Sequence, residues 1–568
     1  MEILFRLLQE GGNLYDLLIP RSKEWADAAR IPMRPGIVPA QEHVAELAAE
    51  IRAGRIPLFD RILEAGSEIQ WRRDYENGIT TGLDYFRRIP YLNRSRAGDH
   101  KNIWELNRHQ HLVILARDAM LHDNHDSLAV IESHIASWRA ANPYLRGINW
   151  TSALEVAFRA LSWLWVWHLA ADRLNVAARR DILLGLEEHG RYLERNLSVY
   201  FSPNTHLLGE ALALHALGVL MPGIPGAERW RSLGRSVMLA AMNHQVREDG
   251  SHFEQSTYYH VYALDMFHFH AVLEEPPPDY LESMRRMGHF LAALLGDSGR
   301  IPMMGDDDGG RLFHPYGRRD EFGRASLAAL GDSWPLAAQS MVFPDTGLVR
   351  LTVNGCDVWF DGGPFGPGSA GHSHADTLQI VMRFRGEEIL IDPGTYTYVG
   401  DVQERDRFRG TAMHNTVRIG GLDQATPAGP FRWKDLPEVK LLDFAEGEHA
   451  ARASAECRYR GYHHRRDIEL AAHGGGAMLT VADTISREAG LSEESVLLEQ
   501  FWHMPLQAAK AGEIIWQLGG DTTIEEGGEF GWRSLVFGQR EPAAALCARY
   551  HSKLPTVLTA VFILGTTR

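Results

Sequence analysis

The chain has 568 residues, more than one hydrophobic core ordinarily holds, so two or three domains are expected. A hydrophobic fraction of 45% and a charged fraction of 23% exclude disordered and fibrous classes. A formal net charge of −15 argues against nucleic acid or an anionic membrane as partner, since both need basic faces. It leaves room for an acidic sugar, which needs only a local cluster of donors in a cleft.

At the N-terminus, MEILFRLLQEGGNLYDLL interrupts its apolar run with acidic and polar residues, and no convincing small-residue cleavage site follows. It reads as a helical extension over residues 1–37. The expected location is cytoplasmic for the sequence as written, and periplasmic or secreted had a leader been removed. Cys356, Cys457 and Cys547 have no knuckle or disulfide spacing and are expected as thiols in a core. A homo-oligomer is compatible with the sequence.

From residue 38 to 340 the apolar period is helical. In WTSALEVAFRALSWLWVWHLAA, Leu154, Phe158, Leu161 and Trp165 recur at steps of three and four, and THLLGEALALHALGVLM and YYHVYALDMFHFHAVLEE behave alike. Helices of this length joined by short Pro- and Gly-containing loops predict stacked antiparallel hairpins. IPMMGDDDGGRLFHPYG, residues 301–317, reads as a polar loop at the rim of an interdomain cleft.

From 341 to 568 the period changes to that of strands. TGLVRLTVNGCDVWFDGG predicts a hairpin turning on Asn354-Gly355, and further strand runs at TLQIVMRF, EILID, NTVRIGG, RRDIELAA, AMLTVADTI, EIIWQL and TVLTAVFIL predict an antiparallel β-sandwich. The expected class is therefore α+β and multidomain. Within the β-region, GHSHADTLQIVMRFRGEEILIDPGTY concentrates His372, His374, Asp376 and Asp392, and MHNTV adds His414. Read as a strand, the first three would share one face. Imidazoles beside carboxylates are ligands for a divalent metal and also proton carriers.

GHSHAD, DPGTYTY and MHNTV, with NTHLLGE at Asn204–Glu210 and DGSHFEQSTYYHVYALD at Asp249–Asp265, resemble the heparinase II/III family of polysaccharide lyases, in the family's order. The resemblance sharpens the fold to an N-terminal incomplete (α/α) toroid of helical hairpins followed by the antiparallel β-sandwich. It implies β-elimination on a uronic-acid-containing polysaccharide or oligosaccharide, glycosaminoglycan-like or alginate-like. It further implies that Asn204 holds the substrate carboxylate, that Tyr259 carries a proton with Tyr258 as its neighbour, and that His372 is the second catalytic group. His206 is an associated candidate, although Thr205 separates it from Asn204 where family members have adjacent Asn and His. His374, Asp392 and His414 match a metal site, with zinc the expected ion.

Each assignment has a plainer counterpart. Asn204 before a helical run is also an N-cap, and the tyrosines of STYYHVY also suit an aromatic packing face. His372, His374 and Asp376 form a competing metal triad. Upstream, KNIWELNRHQHL offers Trp104, Glu105, Arg108 and Gln110 as substrate contacts, GINW offers Trp150, and RDRFRG offers Arg407. Ion pairs between helices, Glu105 with Arg108 or Glu155 with Arg159, would account for the same charges. Two other functions fit the residues: a metal-dependent hydrolase using the HxH and Asp cluster, and a carbohydrate-binding relative without catalysis.

Overall fold

A computed structural model describes residues 41–200, 202–296, 298–312, 322–331, 334, 339–488, 494–510 and 514–565. The expected extension over 1–37 lies outside them. Among the described residues, nine longer helices lie in the first half: α1 (Gln41–Arg52), α2 (Gln110–His122), α3 (His125–Ala141), α4 (Ala153–Ala170), α5 (Val176–Asn196), α6 (Thr205–Leu220), α7 (Ala227–Gln245), α8 (Thr257–Leu273) and α9 (Pro278–Leu295). α2, α4, α6 and α8 pack side by side in that order, each with its hairpin partner α3, α5, α7 or α9. This is the toroid of hairpins.

The two kinds of helix differ because their surroundings differ. All 18 residues of α4 are buried, so it is apolar all round and lies in the inner layer. α7 buries only Ala227, Trp230, Gly234, Met238, Ala241, Met242 and Gln245, one stripe at helical spacing, and its other face meets solvent. Despite this apolar content, no helix among the described residues is long and apolar enough to cross a membrane.

Glu210 of α6 anchors the connection from α5. Its carboxyl accepts from the Ser198 amide at 2.7 Å and the Ser198 hydroxyl at 2.6 Å, and burial pushes its pKa up to about 8. In the unfolded chain a glutamate titrates near ~4.3. The folded state thus binds this proton more tightly, and its contribution is full below the unfolded value and is lost as pH rises through the folded one. Thermal melts between about pH 5 and about pH 9 should show a falling stability that Glu210→Gln flattens. An unchanged pH slope in the variant would remove Glu210 as its cause.

The second half is β-structure. Met341–Phe343, Leu348–Val353, Cys356–Asp361, Ile380–Phe384 and Glu387–Leu390 (β1–β5) form a sheet of consecutive antiparallel neighbours. The predicted hairpin is β2–β3: Val353 pairs with Cys356, and Asn354 and Gly355 take positive φ of 48° and 74° as a tight turn requires. β6 (Val417–Ile419), β7 (Glu438–Glu446), β8 (Ala450–Tyr459), β9 (Tyr462–His473), β10 (Gly476–Arg487), β11 (Val496–Met504), β12 (Ile514–Leu518), β13 (Asp521–Glu526), β14 (Ala544–Ser552) and β15 (Thr556–Leu564) follow. They build a six-stranded sheet, β7-β8-β9-β10-β15-β12, and a four-stranded one, β6-β11-β14-β13. One apolar core joins the inward residues of all three sheets, with Cys356 and Cys457 in it; the three cysteines are free and buried.

Two features depart from the sequence expectation. The helical half also contains a hairpin, Arg55–Leu58 with Arg61–Glu64, whose tip residues Leu58 and Phe59 pack against Tyr398, Val399 and Phe537 of the β-domain. And the segment 371–379 is a loop. It stands between β3 and β4 and is held by cross-chain bonds: Asp306 N donates to the His372 carbonyl at 2.9 Å and Ala375 N to the Arg409 carbonyl at 2.8 Å.

Candidate active site

A cavity of about 1060 Å³ opens between the toroid and the β-domain. Residues from the helical half (Trp104, Arg108, Asn204, His206, Glu254, Tyr259) face His372 and Tyr398 from the other, with Asp308 between them. The shared strut is the loop 301–312. Gly305, at φ +70°, lets it pass the backbone of Gln255, whose carbonyl would lie 2.7 Å from an added Cβ. Ser256 Oγ donates to the Asp306 carbonyl at 2.6 Å, Thr257 Oγ1 to the Pro302 carbonyl at 2.6 Å, and Asp307 N to Thr395 Oγ1 at 2.9 Å. The start of α8 and the β-domain loops are thereby fixed to one segment.

Asn204 has both of its anticipated roles open to it. Its side-chain oxygen caps α6 by accepting from His206 N at 3.1 Å, while its Nδ2 donates to Glu254 Oε1 at 2.6 Å in the cavity wall. Burial raises the Glu254 carboxyl, against the pull of His372 and the Thr205 and Asn204 donors. Neighbouring His206 is driven to about 4 by burial, then by His372, and is neutral at physiological pH.

Tyr259 stacks on His372 with ring centroids 3.9 Å apart. Its hydroxyl donates to Asp308 Oδ2 at 3.2 Å and lies 3.4 Å from the Tyr398 hydroxyl. Burial, then the Asp308 charge, holds the phenol well above its ordinary pKa. On His372, Nδ1 bonds Asp306 Oδ2 at 3.1 Å, and Nε2 lies 3.6 Å from Glu254 Oε1. Burial alone would lower this imidazole, but the Asp306 hydrogen bond and the Glu254 charge carry it above the usual value. Asp306 can do this because burial, which would raise its carboxyl, is overcome by Arg405, His372 and His374. Arg405 Nη2 donates to Asp306 Oδ2 at 2.8 Å, its Nη1 bonds the other oxygen, and His374 Nε2 bonds Oδ1 at 2.9 Å.

Behind His372, the loop turns His374 inward. His374, Asp376, Asp392 and His414 bring one ligand-type atom each within 4.8 Å of one another, all buried. His414 Nδ1 bonds Asp392 Oδ2 at 2.9 Å. Among the described residues, His374 Nδ1 and His414 Nε2 have no hydrogen-bond partner. Each imidazole is thus oriented by a carboxylate on one nitrogen and bare on the other, which is how metal-binding histidines are held. His372 is not in this group, so the competing triad of His372, His374 and Asp376 does not assemble; the loop sends successive alternate residues to different neighbours.

The upstream candidates divide. Arg108 lines the cavity but is clamped by Glu155, Nε to Oε2 at 2.7 Å and Nη2 to Oε1 at 2.8 Å, and by Glu105 at 2.9 Å. Glu105 also takes Lys101 Nζ at 2.9 Å. Trp104 lines the cavity, with its Nε1 donating to the Ile148 carbonyl at 3.1 Å. Trp150, Gln110, Tyr258 and Arg407 do not line it. Trp150 is 0% exposed among Trp138, Tyr144, Tyr192 and His189, so its ring has no face to offer a sugar. Gln110 Nε2 donates to the Arg311 carbonyl at 2.6 Å and Tyr258 Oη to the Gly310 carbonyl at 2.9 Å. Tyr258 and Tyr259 are adjacent on α8, about 100° apart around its axis, so only one of them reaches the cavity. Arg407 pairs with Glu404 and the Glu529 carbonyl at the surface. The expected Glu155–Arg159 pair is replaced: Arg159 donates to His189 Nε2 and to the Asn107 and Asn149 carbonyls.

Sequence reasoning named none of Glu254, Asp306, Asp308, Lys101, Tyr398 or Arg405 individually. The one local signal was GDDDGG, three acids in a glycine-flanked loop, too many to leave in a domain seam without cationic partners.

Comparison with known proteins agrees with this architecture. The family described as Heparinase II/III N-terminus matches residues 57–311, and the one described as Heparinase II/III-like, C-terminal matches residues 336–557. A heparin-sulfate lyase of Bacteroides stercoris is 23% identical over 330 residues, 51% of this chain and 44% of that protein. One of Pedobacter heparinus is 25% identical over 274 residues, 43% of this chain and 40% of that protein. The chain therefore spans less than half the length of these curated relatives. A heparinase III crystal structure superposes with a TM-score of 0.65 at 15% identity, covering 98% of this chain and 93% of the other. A heparan sulfate lyase structure from Pedobacter heparinus gives 0.58 at 18% identity, covering 92% and 84%. With both domain types matched in order and the toroid and β-sandwich in place, the chain belongs to the heparinase II/III family.

Proposed function

We propose that the protein is a polysaccharide lyase that cleaves uronic-acid-containing glycans by β-elimination, leaving a 4,5-unsaturated uronate at the new end. The observation that carries this is the convergence of Asn204, Tyr259 and His372, from three separated segments and both domains, on one cavity. Elimination needs the carboxylate at C5 held and its charge offset, the C5 proton removed, and the departing O4 protonated. Asn204, whose Nδ2 points into the cavity wall beside Glu254, suits the first task. His372, which lines the cavity with its Nδ1 tied to Asp306 and its Nε2 3.6 Å from Glu254 Oε1, suits the second. Tyr259, buried and protonated, suits the third. The relatives named heparin-sulfate lyases support a glycosaminoglycan as substrate, with alginate-like uronates as the second class to test.

We further propose that His374, Asp392 and His414 hold a divalent cation, with zinc the expected ion and Asp376 as a fourth ligand. The bare buried nitrogens of His374 and His414 support this donor set. The ion would tie the β-domain loops together and keep the Asp306–His374 bond in register.

The test of the reaction is incubation with a panel of acidic polysaccharides, heparan-type, chondroitin-type and alginate, followed by ultraviolet absorbance and mass of the new ends. Unsaturated ends are expected. Ends that incorporate solvent oxygen and show no ultraviolet band would replace the lyase with a metal-dependent hydrolase, and no cleavage of any panel member would favour a binding protein.

A further inference from the structure

Lys101 and Asp308, which the three tasks above leave unused, form with Tyr259 a buried chain into the cavity. Lys101 Nζ sits 2.9 Å from Asp308 Oδ2, and Gly310 N donates to Asp308 Oδ1 at 2.8 Å. The carboxylate also accepts from the Tyr259 hydroxyl, at 3.2 Å. We propose that Asp308, clamped by Lys101 and the Gly310 amide, is a positioning residue that holds the Tyr259 hydroxyl as the proton donor to the leaving oxygen. This rests on the lyase reading.

Three physical points carry it. The hydroxyl of a tyrosine rotates freely about its ring bond, and a fixed carboxylate acceptor removes that freedom before substrate arrives. A fixed negative charge beside the phenol opposes its ionisation, so the resting group is an acid and not a base. The carboxylate itself stays charged, because Lys101 and Arg108 overcome its burial and hold it at about 2. In the elimination, His372 Nε2 takes the C5 proton, the C–H electron pair becomes the C4=C5 bond, the C4–O4 bond breaks, and O4 takes the Tyr259 proton. The phenolate left against Asp308 is strongly basic and recovers a proton from water once the product leaves, while the imidazolium releases its proton to water, which restores both groups.

The groups that face Tyr259 are Asp308 and Asp306 from the loop 301–312, His372 and Tyr398 from β-domain loops, Arg405 over the Tyr398 ring, and Tyr262 on its own helix. Asp308 is the charged group in hydrogen-bond contact with the hydroxyl.

The experiment is a titration of ring-labelled tyrosines by NMR without substrate, with Tyr259 assigned by Tyr259→Phe, in the parent and in Asp308→Asn. Tyr259 should remain a phenol beyond the ordinary ~10 in the parent, and ionise at lower pH in the variant. With substrate, Asp308→Asn should lower kcat on the order of 10²-fold with KM little changed, and move the alkaline limb of kcat to lower pH. Identical Tyr259 titrations, or a loss confined to KM, would overturn the proposal. A shifted Tyr259 in a protein that forms no unsaturated ends would instead overturn the lyase reading and with it the purpose of the coupling. If Asp308→Asn does not fold, the parent titration still decides: a Tyr259 that ionises at or below the ordinary value refutes the assignment.

Discussion

Tyr259→Phe should fold as the parent does and turn over uronate substrate at least ~10²–10⁴-fold more slowly, the range associated with one acid-base group. The ring stacked 3.9 Å from His372 is retained, so packing survives. What is lost is the hydroxyl and its bonds to Asp308 and Tyr398. Asp308 keeps Lys101 and the Gly310 amide, so no buried charge is orphaned and the stability cost should be about 1 kcal/mol. Tyr258→Phe, which removes a hydroxyl bonded to the Gly310 carbonyl and not lining the cavity, should leave turnover near normal. His372→Ala should match the Tyr259 defect only on substrates whose C5 proton lies on the imidazole's side, since epimeric uronates present that proton from opposite faces. Kinetics of the three variants on glucuronate-type and on iduronate- or guluronate-type chains would map each group to a face. If Tyr258→Phe is the inactive variant and Tyr259→Phe is not, the donor has been placed one residue out of register.

Removal of a metal ligand should act on the fold first. His374→Ala takes away one proposed ligand and one of the partners of Asp306, so melting temperature and metal content should fall together, with a stability loss of about 3–5 kcal/mol if the cluster behaves as a broken buried ionic group. A chelator should destabilise the parent and leave the variant unmoved. Asp376→Asn separates the four-residue set from the triad of His374, Asp392 and His414: weakened metal retention places Asp376 among the ligands. A His374→Ala protein that is fully loaded and equally stable would mean that the imidazoles serve only as hydrogen-bonded core groups.

Helix positions were legible in the sequence where burial is periodic or continuous. WTSALEVAFRALSWLWVWHLAA predicted α4, because a helix hidden on all sides must be apolar throughout, and Val-Asn-Gly-Cys predicted the β2–β3 turn, because few residues accept positive φ. The long strands β11 and β14 were not singled out; they pair with each other from well-separated parts of the chain, and their alternation is diluted where successive residues are buried. The hairpin at 55–64 was missed for a related reason: its apolar tip is explained only by Tyr398 and Phe537, over 300 residues away.

At the site, local chemistry marked His372, His374, Asp376, Asp392 and His414, since histidines and carboxylates in tight motifs are conspicuous in one dimension, whereas Asn204 and Tyr259 were marked by the family resemblance, their residue types alone reading equally as a helix cap and an aromatic packing face. The sequence could not show which faces meet. The GHSHAD segment, read as a strand, put His372 and His374 on one side for one purpose; as a loop pinned by Asp306 and Arg409 backbone bonds it directs His372 to the cavity and His374 to the interior. Trp150 and Arg407 looked like sugar contacts by residue type, and only packing placed one in the toroid core and the other at the surface. Residue type and period are properties of neighbours in the chain, so they report helices, turns and chemical capacity. Charge state, orientation and access depend on groups hundreds of residues apart, as when Asp306 from one domain holds His372, His374 and Arg405 of the other, and those only the tertiary structure decides.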